Sequence, residues 1–332
     1  MKDTRNKKEG LKSYITAAGL LPQVLWKEAF MLDEEDRPKA EEFRLRLGMP
    51  LGVTVNGRTV YPGTAHTVTA EDMESVIARA TGCSVHSSVS QMRNGFITSS
   101  QGHRIGICGT LRQGEQCTVQ DSITSLNIRI AKQVWGIADG ILSHLVKNGF
   151  ESVLILSPPG GGKTTLIRDM CRQLSSEMRV SVADCRFEIS GGSDGLFDLG
   201  MCDIMRGGGK AQCIDMLLKA MSPQIIALDE ITSQEDIDAM IQASYTGCAF
   251  IASAHGGDIG DLHKRPLYRK LVSSGIFGWV IVIEKKGGGR NYRIFKRGEA
   301  NGQNYWRDID NNVLLGRGDI LGQGYARTSG GT

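Results

Sequence analysis

Residues 153–165 read Val-Leu-Ile-Leu-Ser-Pro-Pro-Gly-Gly-Gly-Lys-Thr-Thr, which in that order specify a short apolar strand, a tight glycine loop and a helix start. Gly160, Gly161 and Gly162 can take positive φ without a Cβ clash, so the N–H groups from Gly160 to Thr165 can converge on one anion. The helix that follows carries Leu166, Ile167, Met170 and Leu174 on one face and turns the positive end of its dipole toward the loop. Lys163 is then placed to reach the outer phosphate oxygens of a nucleotide, and the Thr164 hydroxyl to hold Mg²⁺.

The spacing G-x-x-x-x-G-K-[ST] is met at Gly162, Lys163 and Thr164, but Ser157 stands where the pattern has its first glycine. Serine is small enough for the corner between strand and loop, so the expectation is altered local geometry with the site retained. The expected cradle is Ser157, Pro158, Pro159, Gly160, Gly161, Gly162, Lys163, Thr164 and Thr165. The simpler reading, an ordinary glycine turn, leaves the polar residues downstream unexplained.

In an open α/β sheet, ligands bind beyond the carboxyl ends of the strands, so the residues after each apolar run are informative. Ile225 to Leu228 lead into Asp229 and Glu230. There Asp229 suits the Mg²⁺ shell and Glu230 the polarisation of an attacking water, although an acid pair can also cap the next helix. Val180 to Ala183 lead into Asp184, Arg186 and Glu188, which share one side if the strand continues. The competing reading is a solvated salt bridge. Phe250 to Ala252 lead into Ser253-Ala254-His255-Gly256, which places an imidazole where it can sense a terminal phosphate. No Asn-Lys-x-Asp follows the cradle, which favours ATP over GTP. Ser190-Gly191-Gly192 lies too far ahead of Asp229 for a transporter signature and reads as a loop.

The runs Val153–Leu156, Val180–Ala183, Ile225–Leu228 and Phe250–Ala252, with helical stretches between them, predict an α/β domain with a mainly parallel sheet over 136–297. A smaller α+β domain is expected over 41–135. Its signals are the alternation in Phe43–Leu47, the Asn56-Gly57 turn, the Thr69–Asp72 capping box and the short strands 95–98, 104–110 and 126–130. In the last of these Leu126, Ile128 and Ile130 take one face and leave Asn127 and Arg129 on the other. Residues 1–40 read as a helical lead-in behind a solvated basic start, and 298–332 as a loose glycine-rich tail.

The chain has 332 residues, enough for about two domains, with 40% hydrophobic and 23% charged residues as in an ordinary globular protein. A net charge of +3 gives no argument for nucleic acid. No apolar run is long enough to span a bilayer and no signal peptide opens the chain, so a cytoplasmic protein is expected. The eight cysteines lie singly, without a C-x-x-C pair, and read as buried thiols.

Taken together these residues resemble one family, the stage III sporulation protein AA ATPases, relatives of the type II and type IV secretion ATPases. The resemblance runs from about Glu42 to Ile283. It rests on Phe43-Arg-Leu-Arg46, Gly95-Phe-Ile-Thr98, Gly102-His-Arg-Ile-Gly106, Ser125–Ile130, Ser157–Thr165, Asp184–Glu188, Met221-Ser-Pro-Gln224, Asp229-Glu230 and Ala254-His-Gly256. It implies a RecA-like P-loop core, with Asp184–Glu188 in the place of an acidic box and His255 in that of a histidine box. It further implies a hexameric ring that energises a transport apparatus between mother cell and forespore. Such a ring would be held peripherally on the mother-cell side by membrane proteins of that complex. Ser157, the segment Ile231-Thr232-Ser233 and the glycine-rich extension after Gly298 depart from the family pattern. The expected catalytic set is Lys163, Glu230, His255, Glu188 and an arginine from the first domain. Arg129 is the first choice for that arginine and Arg104 the second; Arg206, beside Gly207-Gly208-Gly209 in the second domain, is the third candidate. A nucleotide-dependent scaffold and a nucleic-acid motor are the competing functions; Glu230 counts against the first, near-neutral charge against the second.

Overall fold

The computed structural model describes residues 2–82, 95–112, 118–191, 197–286, 289–300, 303–309 and 314–315. The chain forms two compact units, Met1–Trp135 with Ser190–Asp198, and Gly136–Ile189 with Leu199–Thr332. Membership of Ser190–Asp198 in the first unit has no counterpart in the sequence reading.

In the first unit the basic start is not a loose tail. Leu11, Tyr14, Ala17, Ala18 and Leu21 recur at helical spacing, and helix Lys2–Ala18 buries Tyr14, Ala17 and Ala18 while Lys7, Lys8 and Lys12 face water. Arg5 lies 3.4 Å over the Trp135 ring. A second helix, Gln23–Ala29, has Pro22 as its N-cap rather than inside its first turn. Strands β1 (Ala40–Arg46), β2 (Gly52–Val55) and β3 (Arg58–Val60) precede helix Ala70–Ala80, whose capping box at Thr69 and Asp72 is formed. After it come β4 (Phe96–Thr98), β5 (Arg104–Arg112) and β6 (Thr118–Arg129). Among the described residues these strands make an antiparallel sheet in the order β3-β2-β1-β6-β5-β4. Leu126 and Ile128 face the core and Arg129 faces away, paired across the ladder with Glu42 and Arg104.

The second unit begins with helix Asp139–Leu145, then β7 (Val153–Ser157), helix Lys163–Leu174, β8 (Val180–Asp184) and β9 (Asp203–Arg206). Helix Lys210–Met221, β10 (Ile225–Glu230), helix Gln234–Ser244, β11 (Ala249–His255) and helices Asp261–Lys264 and Pro266–Ser273 follow. The chain then runs through β12 (Trp279–Lys286), β13 (Gly289–Ala300), β14 (Gln303–Asp308) and β15 (Leu314–Leu315). The sheet order is β15-β14-β13-β12-β7-β11-β10-β8-β9, with the strands from β12 to β9 parallel. Val153, Ile155, Val182, Ala227 and Ile251 pack on one face beneath helices 139–145 and 163–174. Leu154, Leu156, Ile226, Leu228 and Phe250 pack on the other beneath helices 210–221 and 234–244. Burial on both faces is why these strands read as unbroken apolar runs.

Two expectations change here. The sheet does not stop near Gly298, because β13 pairs with β14 from Phe295 opposite Asp308 to Ala300 opposite Gln303. Trp306 is buried in the same core cluster as Phe295, and buried Asp308 takes the Arg293 guanidinium at 2.7 Å, so one partner of each anchor of that edge, Trp306 and Asp308, lies beyond the glycine. Residues 316–332 lie outside the described set. Nor are the cysteines uniformly buried: Cys108 is exposed and Cys185 and Cys202 are partly so, with Cys83 and Cys117 outside the described residues.

His103 ties the first unit together. It is fully buried, its Nδ1 accepts from the Ala131 N–H at 3.1 Å, and its Nε2 meets the Thr16 hydroxyl at 3.0 Å. With Nδ1 an acceptor, the ring is neutral and the proton sits on Nε2. Burial pushes its pKa down from 6.5 to about 4. The unfolded chain therefore binds this proton at higher pH than the folded one, and stability falls as pH drops through that window. The urea midpoint of the protein should be level above pH 6.5 and decline toward pH 4, with about 3 kcal/mol as the full contribution. His103→Leu should lower the midpoint at neutral pH and flatten that slope; an unchanged slope in the variant would assign the decline to other groups.

Candidate active site

Three parallel strands end at one edge of the second unit with polar residues. β7 gives Ser157, β11 gives His255 in register beside it, and β10, on the far side of β11, gives Asp229 and Glu230. The loop Pro158–Gly162 springs from β7 and enters the helix at Lys163, with Gly160 at φ 67° and Gly162, its N-cap, at φ 106°. Only glycine holds these values without strain. The helix has no side-chain cap, so its first N–H groups are left to point into the loop.

Ser157 changes the loop in a defined way. Its side chain is fully buried and donates to the Pro158 carbonyl at 2.8 Å. A Cβ on Gly161 would overlap the Ser157 hydroxyl and stand 2.6 Å from the Ser157 Cβ. The space that a glycine at 157 would leave is thus filled by the serine, and Gly161 makes room for it.

Lys163 is buried, and its ammonium is held by the Ser157 carbonyl at 3.1 Å, the Pro158 carbonyl at 3.5 Å and His255 Nδ1 at 3.1 Å. An ammonium only donates, so Nδ1 accepts and the imidazole proton lies on Nε2, which meets Glu230 Oε2 at 2.9 Å. Lys163, His255 and Glu230 form one continuous chain of contacts. Burial holds the Lys163 pKa below its ordinary value, while Glu230, then Asp229 and Glu188, pull it up. On the other side of Asp229 the Thr164 hydroxyl lies 3.5 Å and the Ser253 hydroxyl 3.3 Å from Oδ1. A hydroxyl beside a carboxylate is a hard-oxygen donor set that fits Mg²⁺, which keeps most of its shell as water and phosphate oxygen.

Glu188 reaches the neighbourhood by a different route from the one expected. β8 ends at Asp184, and the chain turns with Phe187 at φ 59°, so Asp184, Arg186 and Glu188 do not alternate along a strand. Instead the Asp184 carboxylate accepts the N–H groups of Glu188 and Ile189 at 2.9 and 3.1 Å. Arg168, from the helix behind the loop, donates to the carbonyls of Glu188 and Ile189 at 2.5 and 2.9 Å. Burial pushes the Arg168 pKa down to about 10, against the pull of Asp229, Asp184 and Glu188. This arginine was missed because it stands between the apolar positions of a helix, where no local pattern marks it. Arg186 is exposed. The Ile231–Ser233 departure holds a regular cap, in which Ser233 and Asp236 bond reciprocally at the start of helix Gln234–Ser244. The site therefore gathers Ser157–Thr165, Asp229, Glu230 and His255, with Glu188 beside them, while Arg129 and Arg104 belong to the other unit.

Comparison with known proteins gives concordant results. The profile of the family described as "Sporulation stage III, protein AA" matches residues 7–300. Stage III sporulation protein AA of Bacillus subtilis (strain 168) is 32% identical over 292 residues, 84% of this chain and 94% of that protein. The pilus retraction motor PilT with bound ADP superposes with TM-score 0.55 at 18% identity over 77% of this chain and 78% of that one. The Legionella pneumophila ATPase DotB gives 0.54 at 16% over 80% and 78%. At such identities the two structures establish the α/β fold of the secretion and pilus ATPases.

The Ser157–Gly161 contact yields a test of the loop. Gly161→Ala should destabilise the protein by about 1–3 kcal/mol through overpacking. Ser157→Gly in the same chain should restore part of that loss, because it removes the two nearest atoms the new methyl meets and leaves the Pro158 carbonyl, 3.0 Å away. Chemical denaturation of the two single variants and the double variant measures this, and simple additivity would show that the two positions do not share that space.

Proposed function

The chain belongs to the sporulation stage III protein AA family, and from that premise we propose that it binds and hydrolyses ATP as the motor of a secretion-like transport complex between mother cell and forespore. The observation that carries the reading is the contact chain from Lys163 through His255 to Glu230, at the mouth of a glycine loop that opens a helix. Incoming phosphate oxygens compete with His255 for the Lys163 ammonium. Once Lys163 turns to the phosphates, His255 Nδ1 loses its donor, and the imidazole is free to report on the terminal phosphate. Glu230, held by the same ring, is then positioned to orient a water for in-line attack. Thr164 and Asp229 would hold Mg²⁺, which when bound neutralises phosphate charge. Glu188, on the turn fixed by Asp184 and Arg168, adds a third carboxylate to Asp229 and Glu230.

The proposed assembly is a ring, with six copies as the working number, in which Arg129 of one copy completes the site of the next. The Arg129 side chain is exposed at the end of β6, as a donor to another copy must be. Among the described residues no helix is long and apolar enough to cross a membrane. Attachment to the membrane complex, on the mother-cell side, is accordingly assigned to protein partners.

Thermal unfolding with nucleotide tests the binding roles. At ATP near 100 times its Kd the fold should gain about 2.7 kcal/mol. Lys163→Ala should abolish that gain, whereas Glu230→Gln should keep it and stop turnover. Normal turnover by Glu230→Gln would remove Glu230 from the mechanism. Mixing Arg129→Ala with Glu230→Gln protein should restore part of the activity, since an arginine given in this way is worth roughly 10³ to 10⁵ in rate. Failure to complement with Arg129, Arg104 and Arg206 variants alike would eliminate the shared site.

A further inference from the structure

β12 runs parallel to β7 with Val282 opposite Leu156. Beyond that pair β7 has one residue left, Ser157, whereas β12 continues for four, to Lys286. The β12–β13 hairpin therefore outruns the strand by three residues, about 10 Å at the rise of a strand, and that overhang lies alongside the glycine loop. Arg290, opposite Lys285 on the returning strand, uses it. Its Nε–H donates to the Gly161 carbonyl at 2.8 Å. A Cβ on Gly162 would stand 2.9 Å from that Nε and 3.3 Å from the Arg290 Cδ, so the side chain rests on the last two glycines of the loop.

The contact with Gly161 uses one of the five guanidinium donors. The Nη groups have no further hydrogen bond or ion pair among the described residues, and the residue is exposed. A loop carbonyl needs only a neutral donor, and nothing in that contact accounts for a full positive charge. An anion in the loop would account for it, since the planar fork is shaped to give paired hydrogen bonds to phosphate oxygens. We propose that Arg290 is a phosphate-binding residue of its own chain's site, contacting the polyphosphate of the bound nucleotide in addition to Lys163. The proposal rests on the ATP-binding reading above.

The test uses the full chain and calorimetric titration with ATP and with ADP. Arg290→Gln should weaken ATP binding by about 10- to 100-fold, the range for a charge-assisted hydrogen bond, and Arg290→Lys should weaken it less. The thermal midpoint without nucleotide should not move. The steepness with which ATP affinity falls as salt rises should also lessen in Arg290→Gln, because one ionic contact is gone. Loss with both nucleotides places the contact within the phosphates that ADP retains, and loss with ATP alone places it at the terminal phosphate. Wild-type affinity in Arg290→Gln, or a weakened affinity with an unchanged salt slope and a lowered nucleotide-free midpoint, would overturn the proposal in favour of a residue that only pins the loop. At ATP too low to saturate Arg290→Gln, mixing it with Glu230→Gln protein should give no more turnover than Arg290→Gln alone, since neither chain then holds a complete site; a rise above that level would move Arg290 to a neighbour's site and overturn the assignment in cis. If the wild-type protein binds no ATP, this proposal and the function on which it rests both fall, whereas ATP binding lost in Lys163→Ala but untouched in Arg290→Gln sinks this one alone.

Discussion

An ammonium buried at the end of a β-strand has to be surrounded by acceptors, and in this protein that requirement organises the edge of the sheet. Taking the Lys163 charge out of water is unfavourable unless hydrogen bonds replace the hydration. Two of the three replacements are carbonyls of the loop itself, from Ser157 and Pro158, and the third is His255 on the adjacent strand. The parallel register that sets His255 level with Ser157 is what makes the third bond reachable. A one-residue slip in that pairing would send the imidazole to the opposite face of the sheet. The packing of Leu154, Leu156 and Ala252 on one face and Val153, Ile155 and Ile251 on the other therefore fixes the polar contacts as well as the core.

This dependence accounts for what could be read from the sequence. Strands buried on both faces must be apolar throughout, so β7, β8, β10 and β11 declare themselves, and the polar residue that ends each run marks the ligand edge. Asp229, Glu230 and His255 were legible for that reason, and Lys163 by the glycine spacing ahead of it. Glu188 was legible as a residue but not in its setting, because the alternation Asp184-x-Arg186-x-Glu188 looks the same whether the chain stays extended or turns at Phe187. The turn is decided by Asp184 and Arg168, one a strand end and the other buried in a helix, and no local pattern links them. The helical start was obscured by its lysines, since a half-buried helix of the first unit needs only one apolar residue per turn.

The antiparallel edge was the least legible part. β13 and β14 carry charged residues on both sides, and their anchors, Phe295, Trp306 and the Arg293–Asp308 pair, are spread over two strands separated by glycines. Glycine content alone suggested a tail. In the structure Gly289 and Gly298 sit in β13, whose pairing holds Arg290 to one register opposite Lys285. Arg290 is thereby carried on a strand to the mouth of the loop.

Ser157 and Gly161 show how a motif can keep its geometry while losing one of its letters. A phosphate loop needs backbone N–H groups turned inward, which constrains φ at Gly160 and Gly162 but places no demand on the side chain at 157 beyond space. Here the space comes from Gly161, whose φ is not in the left-handed region and whose Cβ would meet the Ser157 side chain first and the Pro158 carbonyl, 3.0 Å away, next. The serine hydroxyl closes on the Pro158 carbonyl, the same oxygen that lies 3.5 Å from the Lys163 ammonium. The serine hydroxyl, the Gly161 N–H and the lysine ammonium therefore share one acceptor. The departure at 157 meets the loop's lysine through that shared oxygen, while Gly160 and Gly162 keep their positive φ.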